Sequence, residues 1–209
     1  MTDQDILSRR EGGIATLTLN RPAQMNAVTD EMLIRLTNLV NEIAADRDIR
    51  ALILTGKGRA FCAGADVNVG VSRDQEPGIR ERERRIKETD RPETSLPKWT
   101  FTGLPFPTIA AVNGAAVGVG VEWTIQCDFR IAAESARFGW VFSKRGITPD
   151  TGAGPYLLPH IVGLTKALEL MYTGEIIDAW ESERIGLVSQ VVSDDQLLPA
   201  AREFAARIS

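Results

Sequence analysis

Glu122 is a lone carboxylate at the end of an otherwise apolar stretch, Ala111-Val112-Asn113-Gly114-Ala115-Ala116-Val117-Gly118-Val119-Gly120-Val121-Glu122. A carboxyl group taken into such surroundings without a partner holds its proton more tightly, which suits a group that must give and take one. Gly114, Gly118 and Gly120 have no obvious place in a helix interior, where each costs about 1 kcal/mol relative to Ala. They belong where a backbone approaches something closely or takes a positive φ. The residues after the turn read as the first turns of a helix, whose free N–H groups and partial positive charge favour a developing anion. Phe61-Cys62-Ala63-Gly64-Ala65-Asp66-Val67 repeats the theme, with small residues around a glycine at the end of a buried strand. A second conspicuous acid, Asp150, stands before glycines in the loop of residues 143–155. Each feature has a plainer reading: tightly packed small residues, and Glu122 as a cap or a solvated side chain.

Those groups need elements to hold them. Thr108-Ile109-Ala110-Ala111-Val112 reads as a buried strand that delivers the chain to Gly114. Ile14-Ala15-Thr16-Leu17-Thr18-Leu19 alternates apolar and polar residues, as a half-buried strand does, and Asn20-Arg21-Pro22 breaks it. Thr29 is a good N-cap, with Asp30 and Glu31 in the first turn and Met32, Leu33, Leu36, Val40 and Ile43 at helical spacing. Ala51-Leu52-Ile53-Leu54-Thr55 is a fully apolar strand, so strand, helix and strand predict a right-handed crossover. Residues 128–133 predict another strand and residues 137–139 a short extended piece. Thr165 is placed as the cap of a helix that carries Ala167, Leu168, Leu170 and Met171 and ends at Gly174. Asp178-Ala179-Trp180-Glu181 has capping-box spacing. Residues 187–192 predict a last strand, and Leu198, Ala201, Phe204, Ala205 and Ile208 an amphipathic helix. The alternation of strand, turn and helix predicts an α/β fold. Residues 72–90, with Arg80-Glu81-Arg82-Glu83-Arg84-Arg85, read as a solvated helix or loop, and Trp99 and Phe101 as core.

Composition narrows the function classes. At 209 residues the chain is one large domain or little more. A net charge of -4 gives no reason to expect a nucleic-acid partner. Cys62 and Cys127 make neither a disulfide framework nor a zinc site, so a reducing compartment is expected. No apolar run is long enough to span a membrane, and Met1-Thr2-Asp3-Gln4-Asp5 has no secretion-signal character, which predicts a soluble cytoplasmic protein. The single histidine, His160, is read as structural. Gly56-Lys57-Gly58-Arg59 lacks the spacing of a phosphate-binding loop.

The two glycine turns, together with Cys127-Asp128-Phe129-Arg130-Ile131-Ala132, resemble the crotonase superfamily, which includes enoyl-CoA hydratase and enoyl-CoA isomerase. Leu19-Asn20-Arg21-Pro22 with Asn26-Ala27 resembles the first loop of that family, and residues 179–188 its helix–strand near the end of the core. The resemblance covers nearly the whole chain with collinear motifs. It implies a spiral of ββα units as the core over residues 1–192, and residues 193–209 as the start of a C-terminal helical trimerisation part that is missing or truncated in this sequence. It implies an acyl-CoA thioester substrate, no cofactor beyond the coenzyme A carried by that substrate, no metal, and assembly as a homotrimer or dimer of trimers. By motif position the oxyanion hole would be the N–H groups of Ala65 and Val119, with Ala63, Ala65, Asp66, Val67, Asn68 and Val119 along the acyl-CoA. Such a donor pair acts where enolate charge develops on the thioester oxygen, and losing one donor typically costs about 10² to 10³ in rate.

Departures from the pattern bear on the reaction. Many relatives carry Gly where Val119 stands, a change that keeps the backbone donor. Hydratases of the family use two Glu residues; Glu122 matches the first, whereas the second falls at Phe142, which cannot transfer a proton. Asp150 matches the position at which isomerases of the superfamily carry a catalytic acid and a dehalogenase branch a nucleophilic Asp. Ser143-Lys144, Gly146, Pro149-Asp150 and Leu157-Leu158-Pro159 resemble the ring-opening isomerase branch of phenylacetyl-CoA breakdown. The expectation is an enoyl-CoA hydratase/isomerase with Glu122 and Asp150 sharing the acid–base work and isomerisation favoured over hydration. The alternative is a non-catalytic acyl-CoA-binding protein on the same scaffold. A serine peptidase on the distantly similar Clp scaffold would need a Ser–His pair, for which His160 stands in a poor context.

Overall fold

The computed structural model describes residues 5–66, 100–149 and 153–209. The charged stretch of residues 72–90, Trp99, Val67, Asn68 and Asp150 lie outside them. Strands β1 (Ile6–Glu11) and β2 (Ile14–Leu19) form an antiparallel hairpin. Helix α1 (Asp30–Ala45) follows, and Thr29 caps it as its sequence predicts, the Thr29 hydroxyl accepting the Met32 N–H at 3.1 Å. Strands β3 (Ala51–Gly56) and β4 (Ala60–Cys62), β5 (Thr108–Val112) and β6 (Ala115–Val117), and β7 (Phe129–Ala133) and β8 (Arg137–Gly139) come in successive pairs. Helix α2 (Val119–Gln126) separates the second pair from the third. Helices α3 (Gly154–Val162) and α4 (Leu164–Thr173), strand β9 (Ile176–Asp178), helix α5 (Ala179–Arg184), strand β10 (Gln190–Val192) and helix α6 (Leu197–Ile208) complete the order.

Each pair sends its first strand to one sheet and its second to another. The larger sheet has the order β1-β2-β3-β5-β7-β10, parallel from β2 onward; the smaller has the order β4-β6-β8-β9. This repeated step of two strands is the ββα spiral. The larger sheet is covered on both faces, which explains why β3 reads as uninterrupted apolar sequence. Leu52 and Leu54 face the main core with Met32, Leu36, Val40 and Ile43 of α1. Ala51 and Ile53 face the other way, with Ile109, Ala111, Ile131 and Ala133, under Leu197, Ala201 and Ala205 of α6. Burying a Leu or Ile side chain completely contributes about 2 kcal/mol, so the side-to-side alternation along β3 holds both layers to one strand.

The structure corrects several local expectations. Thr165 does not cap α4, which starts at Leu164 after Gly163 in a positive-φ conformation. The loop of residues 143–155 ends earlier, because α3 starts at Gly154 with Pro155 in its first turn, where a missing N–H costs nothing. The last strand shortens to Gln190–Val192. Strand β1 carries no periodic apolar signal, since only Ile6 of its six residues is buried.

Candidate active site

Helix α2 is the centre of the site. It has eight residues, of which Gly120 to Gln126 are all buried, so it runs through the core with no solvent face. That explains why no stripe of charged residues marks a solvent face, Glu122 being its one ionisable group. Its N-cap, Gly118, has φ 58° and ψ -125°, a conformation open in practice only to glycine. A Cβ at Gly120 would collide with the Cys62 carbonyl oxygen and lie 2.8 Å from the Cys62 Cβ. Glycine there lets the first turn of α2 rest directly on β4.

The two small-residue turns therefore meet. A Cβ built on Gly118 would lie 3.7 Å from the Gly64 Cα, and one on Gly64 would lie 3.3 Å from the Val117 carbonyl oxygen. Ala65 follows Gly64 and Val119 follows Gly118 in the chain. Among the described residues neither the Ala65 N–H nor the Val119 N–H has an acceptor, whereas the neighbouring donors are committed. The Ala63 N–H donates to the Met25 carbonyl at 3.0 Å, the Asp66 N–H to Val28 at 2.9 Å and the Gly118 N–H to Gly139 at 3.1 Å. Ala65 is exposed and Val119 half-buried, so both stand at an accessible surface.

Each turn has its own supports. Residues 25–28 pair with residues 63–66, and Ala65 bridges to Val28. Arg21 closes that contact: its guanidinium donates to the Ala27 carbonyl and forms a 2.9 Å ion pair with Asp66 Oδ2. Asn26 is fully buried and donates to the Ala60 carbonyl at 2.7 Å, an oxygen that also accepts from Asn113 at 3.1 Å. The far end of α2 is held by Arg130, which donates to the carbonyls of Cys127 at 2.7 Å and Leu187 at 2.6 Å. A cation there complements the helix dipole. Burial draws the Arg130 pKa down from its ordinary value. Asp128 accepts from the Thr108 N–H and hydroxyl, both at 2.8 Å, and ties the same end to the start of β5.

Glu122 lies in the first turn of α2, three residues beyond Val119, and is fully buried. It is neither solvated nor a helix cap, and it has a partner: the Gly154 N–H at the start of α3 donates to its Oε2 at 2.6 Å. Phe142 is 5% exposed and belongs to the main hydrophobic core, so the position of the second family Glu is filled by packing. His160 is exposed, with Nδ1 2.6 Å from the Tyr156 carbonyl and its ring against Tyr156. It lines a cleft of about 210 Å³ with Gln126, Asp128 and Arg130 at the C-terminal end of α2. That end is roughly 10 Å along the helix axis from Val119. Phe101 is core as expected, edge-on to Trp123 at 6.2 Å. Among the described residues no cluster of three metal-ligating side chains occurs, and no helix is long and apolar enough to cross a membrane.

Sequence reasoning missed the positioning partners. Arg21 meets Asp66 across 45 positions, the Gly154 N–H meets Glu122 across 32, and Arg130 adds to its local contact with Cys127 one to Leu187 across 57. Gly154-Pro155 ahead of Leu157, Leu158 and Ile161 was a legible helix start, because Pro is favoured in a first turn.

The family model described as "Enoyl-CoA hydratase/isomerase" matches residues 9–209. The putative enoyl-CoA hydratase/isomerase YngF of Bacillus subtilis is 39% identical over 213 residues, covering 100% of this chain and 77% of that protein. The 1,2-epoxyphenylacetyl-CoA isomerase of Escherichia coli is 38% identical over 210 residues, covering 98% of this chain and 76% of that protein. A crystal structure of enoyl-CoA hydratase from Bacillus anthracis superposes with a TM-score of 0.84 at 37% identity, over 98% of this chain and 76% of its own. With this agreement of sequence along the whole chain and of fold, the protein belongs to the enoyl-CoA hydratase/isomerase family of the crotonase superfamily and is an enzyme of the hydratase/isomerase type.

Proposed function

We propose that the protein isomerises the double bond of an enoyl-CoA thioester, with the N–H groups of Ala65 and Val119 as the oxyanion hole and Glu122 and Asp150 as the acid–base groups. The observation that carries this is the meeting of the two turns at Gly64 and Gly118, with a donor on the next residue of each that has no acceptor among the described residues and a buried carboxylate one helical turn on. In this reading the thioester oxygen accepts both N–H groups. A carboxylate removes a proton from C2 of a 3-enoyl-CoA, the electron pair delocalises into the dienolate held at the oxygen, and the proton returns at C4. One carboxylate carrying one proton is sufficient. Acid–base groups of this kind typically contribute about 10² to 10⁴ in rate. Ala63, Asp66, Val67 and Asn68 are assigned to the acyl-CoA on motif position alone.

Hydration remains the second reading, because Glu122 is retained; it would need another group in the role that Phe142 cannot fill. Assaying crotonyl-CoA for hydration and a 3-enoyl-CoA for double-bond migration separates the two. Migration is expected to exceed hydration, and Asp150→Asn is expected to cost more than Glu122→Gln. The reverse order in both comparisons would establish the hydratase reading. Binding of CoA thioesters with neither turnover would favour the acyl-CoA-binding alternative.

A homotrimer or dimer of trimers in the cytoplasm belongs to the same proposal. The exposed apolar side chains Tyr156, Leu164, Tyr172, Ile176 and Trp180 support self-association. Sedimentation giving a monomer at all concentrations would remove it.

A further inference from the structure

We propose that Gly154 is a positioning residue for Glu122: the first residue of α3 holds the carboxylate by its N–H, and its missing side chain is the space the carboxylate occupies. The inference rests on the proposed acid–base role of Glu122. The Gly154 N–H donates to Oε2 at 2.6 Å. A Cβ at the same residue would collide with Oε1 and lie 2.9 Å from Cδ and 3.0 Å from Oε2. All three of the nearest atoms belong to the Glu122 carboxylate. Gly154 does not have a positive φ, so left-handed backbone does not explain the glycine. Helix propensity does not explain it either, since Ala is the better helix former. One competing cause exists. Pro155 follows, and a residue with a Cβ before proline is disfavoured in the helical region.

The two causes predict different rescues. Shortening the carboxylate by one methylene draws it back from residue 154, whereas removing Pro155 relieves only the pre-proline crowding. A carboxylate pushed about 1 Å from its working position can cost about 10² in rate. G154A is therefore expected to lower kcat on the 3-enoyl-CoA by about 100-fold with KM changed less than about threefold. E122D/G154A is expected to be at least as active as E122D alone, so that the second substitution costs nothing once the carboxylate is short. G154A/P155A is expected to stay as slow as G154A. Wild-type kcat in G154A, or restoration by P155A and not by E122D, overturns the proposal. If G154A does not fold, recovery of the native melting transition in E122D/G154A supports the steric account, and no recovery overturns it. The underlying reading fails separately: Glu122→Gln at the wild-type rate would remove the acid–base role whatever G154A does.

Discussion

The two turns offer the same kind of donor and are built in opposite ways. The turn at Ala65 is an edge feature, held from the side by a loop some forty residues earlier through a short ladder, a buried Asn26 and the Arg21–Asp66 ion pair. The turn at Val119 is the start of a helix sunk in the core and anchored at its far end by Arg130 and Asp128. The first depends on polar side chains reaching across the chain; the second depends on the helix being unable to go anywhere else. One half of the site can therefore be loosened by single polar substitutions, while at the other the packing of a buried helix adds to its polar anchors.

Proline at each donor tests the pair most directly. Val119→Pro removes an N–H at the first helical position, where proline fits without disturbing the helix. A loss of about 10² to 10³ in kcat with an unchanged melting temperature is expected. Ala65→Pro should cost a similar factor in rate, and with it some stability, because the bridge to Val28 lies at the same residue. Full activity in either variant would break the equivalence of the two donors.

Gly120→Ala attacks the contact that brings the turns together. The Cys62 carbonyl that its Cβ would strike is backbone and cannot rotate away. Overpacking typically costs 1–3 kcal/mol, and about 3 kcal/mol is expected here, read by urea unfolding. A loss below about 1 kcal/mol would mean that β4 and α2 can slide apart without penalty.

Arg21→Ala should loosen the first turn alone. The pair it breaks is largely desolvated, with side-chain exposures of 15% for Arg21 and 6% for Asp66. Removing one partner of a buried pair costs about 3–5 kcal/mol; the residual exposure brings the expectation to about 2 kcal/mol. Hydrogen exchange should rise at residues 63–66 and stay slow in α2.

This asymmetry also sets what was legible beforehand. The second turn was readable because its whole context is local: an apolar strand, Gly118, Gly120 and a lone Glu122 within fifteen residues. The α/β alternation followed from similarly local signals, Thr29 as a cap and the unbroken apolar run of residues 51–55, whereas the ββα spiral came only with the family resemblance. The supports of the first turn were not readable, since Arg21 meets Asp66 across 45 positions and nothing periodic marks either residue. Helix α3 was hidden by Pro159, which counts against a helix interior on propensity but is tolerated in a helix packed against α2 and α4, although Pro155 marks its start. Strand β1 was hidden because an exposed edge strand has no apolar alternation to show.

The two cysteines, one beside each region, carry the comparison into alkaline pH. Cys62 ends the strand that leads into the first turn, and Cys127 follows the last residue of α2. Burial pushes both thiols from the ordinary value of 9.0 up to about 12. Between those values the folded chain keeps protons that the unfolded chain releases, so stability present below pH 9 falls as pH rises towards 12. Each thiol should contribute roughly 1 kcal/mol of loss per pH unit in that window, and Cys62→Ala and Cys127→Ala should each remove one share of the slope. At pH 8 both should resist alkylation in the folded protein. In Arg21→Ala the comparison sharpens, because only the side of the site held by polar contacts has been released: Cys62 should label faster while Cys127 stays protected. Equal labelling of the two would mean that the turns open together and that their different supports make no difference to how they move.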